Sequence, residues 1–470
     1  VSGSVDRERR VHVMGEVAAR FAGIVGEVNL LTGDRISEDY AHDESLTSEP
    51  RKPAYVAKPG APGEVAALLV AAGEHGVPVT ARGSGSGMSA AARPREDGLL
   101  ISFERMNKVL EIDTGNQVAV VQPGVTLAEL DERTAEAGLA YTVFPGELSA
   151  SVGGTVGTNA GGMRAVKYGV TRHNVLGLQA VLPTGEIIRT GGKTSKISTG
   201  YDLTQLIIGS EGTLALATEV TVKLFPRLPH GATLLAPFGD LRQVMEAVPG
   251  IVSSGLAPNI LEYIDNLTMA AISYNEQLSL GVPDEIQQAT QAYLVVGLEN
   301  RDAGRLDGDV ARAGELLAEL GASDVYVLEG GSARKLIEAR EKAFWAAKSA
   351  GADDVIDVVV PRSEMPGFLE KTRETALAAE SGAIGCGHAG DGNVHLAIFC
   401  KDREKRHRLL HDIFADAIAR GGAISGEHGI GAAKKRYFLD LEDPAKVALM
   451  RRLKHAFDPG GILNPGVLFD

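Results

Sequence analysis

The sequence predicts an α+β protein of about three structural units, and three observations carry that prediction. The chain has 470 residues, 23% of them charged and 44% drawn from the set AVILMFWYC, which is the make-up of a globular protein with a large core. From about Ala54 to Pro226, short strand-like runs alternate with helical ones. After Pro226 the pattern changes to longer strands and longer amphipathic helices, which marks a second, α/β unit.

In chain order, 54–58 reads as extended, 62–75 as helix and 77–81 as extended. Residues 126–137 form an amphipathic helix opened by Thr126, with Glu129 three positions later as a capping box. Beyond Pro226, 232–238 and 293–299 read as strands, and 302–320 and 333–350 as helices. The Gly/Pro-rich end, 457–470, is expected to pack back onto the front unit.

Composition excludes several classes of function. Lys and Arg number 47 against 61 Asp and Glu, a formal charge of −14, which argues against nonspecific binding to nucleic acid or to an acidic membrane face. No apolar run nears the roughly 18 residues that span a bilayer; 65–72 is among the longest. Residues 1–10 are polar, with no apolar signal core behind them. Two cysteines, Cys386 and Cys400, cannot staple a chain of this size and suit a reducing compartment, so a cytoplasmic enzyme is expected.

Glycine is in excess, 57 of 470 or about 12% against a usual ~7%, and it is clustered. Val77-Pro-Val-Thr-Ala-Arg-Gly-Ser-Gly-Ser-Gly87 runs from a strand into a loop that can aim backbone N–H groups and a cation at a pyrophosphate. Between Pro145 and Gly162 lie Gly146, Gly153, Gly154, Gly157, Gly161 and Gly162 among Ser, Thr and Asn, a nest of donors without bulk. Ile208-Gly-Ser-Glu-Gly-Thr-Leu214 adds a third polar loop. Three such loops in one unit point to one long cofactor.

At these residues the chain resembles the flavoproteins of the vanillyl-alcohol oxidase type, which hold FAD in two small subdomains; the likeness runs from about residue 50 to the end. It implies an FAD site formed by Arg82, Gly83, Ser84, Gly85, Ser86 and Gly87 at the pyrophosphate. Pro145, Gly146, Gly153, Gly154, Thr158, Asn159, Gly161 and Gly162 would lie along the flavin, and Glu211, Gly212 and Asn464 would complete the site. No histidine falls in 77–87 or 145–162, so the flavin is expected to be non-covalent. The implied division is a helical segment over 1–50, an FAD-binding domain over 51–228, a substrate or cap domain over 229–425 and a returning segment over 426–470.

Gly385-Cys-Gly-His-Ala-Gly390 matches the dinucleotide pattern G-x-G-x-x-G, but that pattern should open a helix, and here a strand follows. His388 and His395, seven apart, would share a helix face, yet Gly387, Gly390 and Gly392 disfavour the helix. A turn through Gly390-Asp-Gly-Asn393 would instead bring the two imidazoles together. With Glu427 of Ser425-Gly-Glu-His-Gly-Ile-Gly431 they make a two-histidine, one-carboxylate set suited to Zn²⁺, Mn²⁺ or Fe²⁺, zinc first.

Residues 387–395 and 426–431 together resemble the signature of the FAD-linked D-2-hydroxy-acid dehydrogenases, a branch with D-lactate dehydrogenases, the flavin subunit of glycolate oxidase and D-2-hydroxyglutarate dehydrogenase. The resemblance implies that His388, His395 and Glu427 bind the metal, that His428 is the catalytic base, and that Arg340 holds the substrate carboxylate. The implied reaction converts a D-2-hydroxy acid to the 2-keto acid, with a hydride passing to flavin N5 and the metal assisting loss of the hydroxyl proton. Where D-2-hydroxyglutarate relatives carry Thr and Lys for a second carboxylate, the unaligned count falls on Phe344 and Val355, favouring a monocarboxylate such as D-lactate, glycolate or a longer acid. D-2-hydroxyglutarate oxidation, a flavin-free metal hydrolase and a flavin-binding companion subunit stay as alternatives. The electron acceptor is open, as is a homodimer.

Overall fold

The computed structural model describes residues 2–469, with side chains from Met14 onward. The helix expected at 62–75 forms as Pro62–His75, begun by proline in its first turn and ended by Gly76 at φ +63°. It buries Val65, Leu68 and Leu69 with Val79, Leu99 and Ile101 of a four-stranded sheet. That sheet runs Leu30–Thr32, Tyr55–Ala57, Leu99–Ser102, Val79–Arg82; its first pair is antiparallel and the others are parallel. The C-terminal stretch enters the same core: Leu463 bridges Val79, and Asn464 N–H donates to the Val79 carbonyl at 2.7 Å.

A second, five-stranded antiparallel sheet has the order Val109–Asp113, Val118–Val121, Leu216–Lys223, Val175–Val181, Ile187–Gly191. Against it lies Leu127–Ala135, whose Thr126 and Glu129 form the expected capping box. The glycine-rich stretch after Pro145 differs from expectation. Instead of an open nest, Val152–Thr158 is a short helix whose N-cap Ser151 accepts the Gly154 N–H at 3.2 Å. Its glycines serve close packing: a Cβ on Gly153 would meet Pro123 at 2.5 Å, and one on Gly162, at φ +106°, would meet the Phe144 carbonyl at 1.8 Å.

The back half is built on a seven-stranded antiparallel sheet in the order Tyr326–Leu328, His230–Phe238, Ala292–Asn300, Ile260–Asp265, Gly382–Gly387, Asn393–Phe399, Asp354–Val359. Both faces are covered, so the central strands read as nearly continuous apolar runs. Leu234, Leu294, Val296, Tyr263 and Leu396 pack under Leu241–Ser253, Met365–Ala378 and Arg403–Ala419. The alternate residues Leu235, Val295, Ile264 and Cys386 face Asn266–Glu276 and Gly330–Glu341. The single helix expected at 333–350 is two, Gly330–Glu341 and Ala343–Ser349, broken at Lys342 with no glycine or proline to announce it. Among the described residues, no helix is long and apolar enough to cross a membrane.

Candidate active site

Two adjoining cavities meet at Glu427 and His428. The larger, about 1310 Å³ including its open mouth, is walled by Gly83 to Gly87, Pro145, Gly153, Gly154, Thr158, Glu211 and Gly212, which are most of the residues expected at a long cofactor. The other, about 840 Å³, holds Arg340, His388 and His395, with Pro145 and Met88 shared between the two. Among the residues lining the larger cavity, His428 is the one histidine.

The sheet explains how the cluster assembles. His388 follows the strand Gly382–Gly387, and a 3₁₀ turn over Ala389–Asp391 with Gly392 at φ +78° reverses direction into Asn393–Phe399. Cys386 then pairs with His395, and the two imidazole centroids of His388 and His395 are 4.9 Å apart. The dinucleotide-like motif is thus a strand end and a turn. Glu427 arrives from the loop beyond Ala423, and the donor atoms of His388, His395 and Glu427 all lie within 4.8 Å of one another.

These three residues fit a divalent cation. Glu427 Oε1 stands 3.1 Å from His388 Nε2 and 3.2 Å from His395 Nε2. Two ligands at ~2.1 Å on a tetrahedral ion stand about 3.4 Å apart, close to this spacing. The cluster also calls for positive charge: burial would lower the His388 pKa, but the Glu262 and Glu427 carboxylates override it and raise it to about 10. His395 is the less basic of the pair, lowered by burial.

Two residues that the sequence did not reveal hold the cluster. Glu262, fully buried, puts Oε1 2.6 Å from His388 Nδ1 and Oε2 2.7 Å from Arg340 Nη2. With the proton on Nδ1 donated to Glu262, the Nε2 lone pair of His388 is left for a cation, the usual carboxylate–histidine arrangement. Asp357, also fully buried, accepts the N–H groups of Gly426, Glu427 and His428 at 2.7, 2.7 and 3.0 Å, and pairs with Lys434. Its Oδ1 is 3.4 Å from His428 Nδ1, close but not hydrogen-bonded, since that nitrogen has no hydrogen-bond partner. Burial lowers the His428 pKa to about 4 against the opposing pull of Asp357, so the imidazole is neutral and able to accept a proton. Alternation along the strands, which puts Glu262 and Asp357 on the sheet face opposite Tyr263 and Val358, was the signal available for them. Each strand carries a second acid, Asp265 or Asp354, so neither residue stood out.

Other expected residues stand behind the walls. The Arg82 guanidinium turns from the cleft to the His42 carbonyl at 2.5 Å and to Asp39 at 3.4 Å, and packs beneath the loop, where a Cβ on Gly85 would meet it at 2.1 Å. The guanidinium thus has partners within the protein, while the backbone of 83–87 lines the cleft. Asn159 ends the short helix at φ +57° and accepts the Arg172 N–H at 2.9 Å. Asn464 donates to the Ala91 and Glu211 carbonyls, both at 2.8 Å. Gly161 N–H donates to Glu427 Oε2 at 3.1 Å, Gly162 closes on Phe144, and Gly146 lines the smaller cavity. Glu211 does face the cleft while accepting the N–H groups of Ile430 and Gly431 at 2.8 and 2.7 Å; burial raises its pKa to about 7.

Comparison with known proteins gives the family and the fold. Residues 227–468 match the family described as FAD linked oxidases, C-terminal domain, and residues 53–191 match the FAD binding domain family. The chain is 71% identical over 456 residues to an uncharacterized FAD-linked oxidoreductase of Mycobacterium tuberculosis, covering 97% of this chain and 99% of that one. It is 37% identical over 473 residues to a D-lactate dehydrogenase of Anaerostipes hadrus, covering 97% of each. In fold it superposes on p-cresol methylhydroxylase with a TM-score of 0.82 at 17% identity, over 98% of this chain and 97% of that one.

Proposed function

The chain belongs to the FAD-linked oxidases, and from that membership we propose that it oxidises a D-2-hydroxy monocarboxylate to the 2-keto acid. The observation that supports this reading best is the junction at Glu427 and His428, where the glycine-walled cleft opens onto the histidine cluster and Arg340. Bound FAD supplies the two-electron acceptor that the oxidation requires. A divalent cation held by His388, His395 and Glu427 supplies Lewis acidity toward the substrate hydroxyl.

The protein's own residues have separate tasks. Arg340 holds the substrate carboxylate through N–H groups outside its ion pair with Glu262, which engages Nη2; Nε has no hydrogen-bond partner. Neutral His428 takes the hydroxyl proton, kept in place by Asp357 through its backbone N–H. Glu262 orients His388 and Arg340 together, which fixes the carboxylate site relative to the cation site. Glycine-rich backbone from Gly83 to Gly87 and at Gly153–Gly154 of the short helix lines the larger cavity and would lie against the cofactor.

Phe344 and Val355 both line the cavity beside Arg340, and neither can partner a second carboxylate. This supports a monocarboxylate over D-2-hydroxyglutarate. The FAD-binding match weighs against a hydrolase without flavin. An anaerobic panel of D- and L-2-hydroxy acids, followed by loss of the oxidised flavin absorbance, tests the proposal. Bleaching by D-lactate or its D-homologues and not by their L-enantiomers supports it; no bleaching by any member contradicts it.

A further inference from the structure

The smaller cavity continues well past the cluster. On the strand Asn393–Phe399, side chains at every second position share one face, so His395 is followed by Ala397 and Phe399. Ala397 lies directly between Val355 and Ile384 on the neighbouring strands, and all three line the cavity. An apolar row thus begins one pleat, about 7 Å, from the row that holds the cluster. The facing wall is the helix Ala343–Ser349, which presents the short side chains of Ala343, Ala346 and Ala347 beside Phe344. The break at Lys342 allows this: Arg340 ends the preceding helix inside the site, and the next helix runs along the slot toward exposed Ala350.

From this continuity we propose that the slot receives the side chain of the substrate, and that the preferred substrates are D-2-hydroxy acids with an extended aliphatic tail. The inference rests on the proposed 2-hydroxy-acid chemistry and narrows it. Four residues from His395 to Phe399 cover about 13 Å of strand. An extended hydrocarbon advances ~1.2 Å per backbone bond, so that length takes a tail of roughly ten carbons. Beyond the cluster the slot offers no cation to a distal carboxylate: Arg340 is taken by the substrate's own carboxylate, and the other charged residue lining it there is the acidic Glu341. A glycolate or lactate molecule held at Arg340 would leave the Ala397 row and the alanine wall without contacts.

The test uses the FAD-loaded enzyme and the anaerobic flavin-reduction rate with glycolate, D-lactate and the unbranched D-2-hydroxy acids from four to fourteen carbons. The rate constant per molar substrate should rise by up to ~4-fold for each added methylene, then level near ten to twelve carbons. Ala347→Trp, with retained flavin absorbance as the check on folding, should lower the ratio of D-2-hydroxydecanoate to D-lactate at least tenfold. Reduction by D-lactate with a flat or falling response to length overturns the slot while leaving the 2-hydroxy-acid chemistry intact. Absence of reduction by every acid of the series overturns both.

Discussion

Glu427 Oε2 accepts the backbone N–H of Gly161 at 3.1 Å, although the two residues are 266 positions apart. The other oxygen of the same carboxylate faces His388 and His395. One side chain therefore ties the glycine-rich wall of the cofactor cleft to the cation cluster, and neither can shift without disturbing the other. Asn464 and the Leu463–Val79 bridge close the same junction from the C-terminal side.

His428 is neutral, buried and placed where both cavities meet. Replacing it by alanine should leave FAD bound and lower flavin reduction by a D-2-hydroxy acid at least ~100-fold, the ordinary scale of general base catalysis. Stopped-flow bleaching at the wild-type rate would remove His428 from that role.

Glu262→Gln keeps the shape of the side chain and removes the charge shared by His388 and Arg340. Loss of such an outer partner should weaken divalent metal binding about 10- to 100-fold. Metal titration of the apoprotein reads this directly, with flavin absorbance as the control, and unchanged affinity would contradict the orienting role.

Asp357→Asn should destabilise the fold by about 3–5 kcal/mol at neutral pH, because it leaves the Lys434 ammonium buried without its partner. Burial alone would raise the Asp357 pKa, but the charges of His428 and Lys434 and the N–H groups of 426–428 hold it well below the usual range. The folded-state pKa lies below the unfolded value of ~3.9, so this stability is present above that pH and is lost as pH falls through the lower folded value. Thermal unfolding across pH should show the gap to wild type narrowing once the pH drops below about 4. A constant gap would show that the charge is not its source.

Gly162→Ala adds a Cβ that would meet the Phe144 carbonyl at 1.8 Å, at a φ of +106° that side chains rarely adopt. The expected outcome is a lower melting temperature, by more than ~1 kcal/mol of stability, and loss of flavin on gel filtration. Retention of both would show that the backbone there can move.

Much of this was legible in the sequence, and the reasons are local. Pro62–His75 carries its own start and stop signals, and Thr126 with Glu129 fixes a helix end through side-chain hydrogen bonds three residues apart. The meeting of His388 with His395 followed from glycines that forbid a helix and permit a turn. What escaped depends on partners distant in sequence. Arg82 reads as a phosphate-binding cation, and only the fold shows His42 and Asp39 beside its guanidinium. The helix Val152–Thr158 is held by Ser151 and by packing on Pro123, against the low helix propensity of its glycines. Glu262 and Asp357 are each one of two acids in a largely apolar strand, and sheet register alone shows what they face.

The central claim is that the flavin cleft and the histidine cluster form one active site, and Glu427→Ala tests it most directly. Flavin content, bound metal and the anaerobic rate of flavin reduction by a D-2-hydroxy acid should be measured on the same preparation. FAD should be retained, metal lost and reduction slowed at least ~100-fold. Metal lost while the flavin is still reduced at the wild-type rate would contradict the claim.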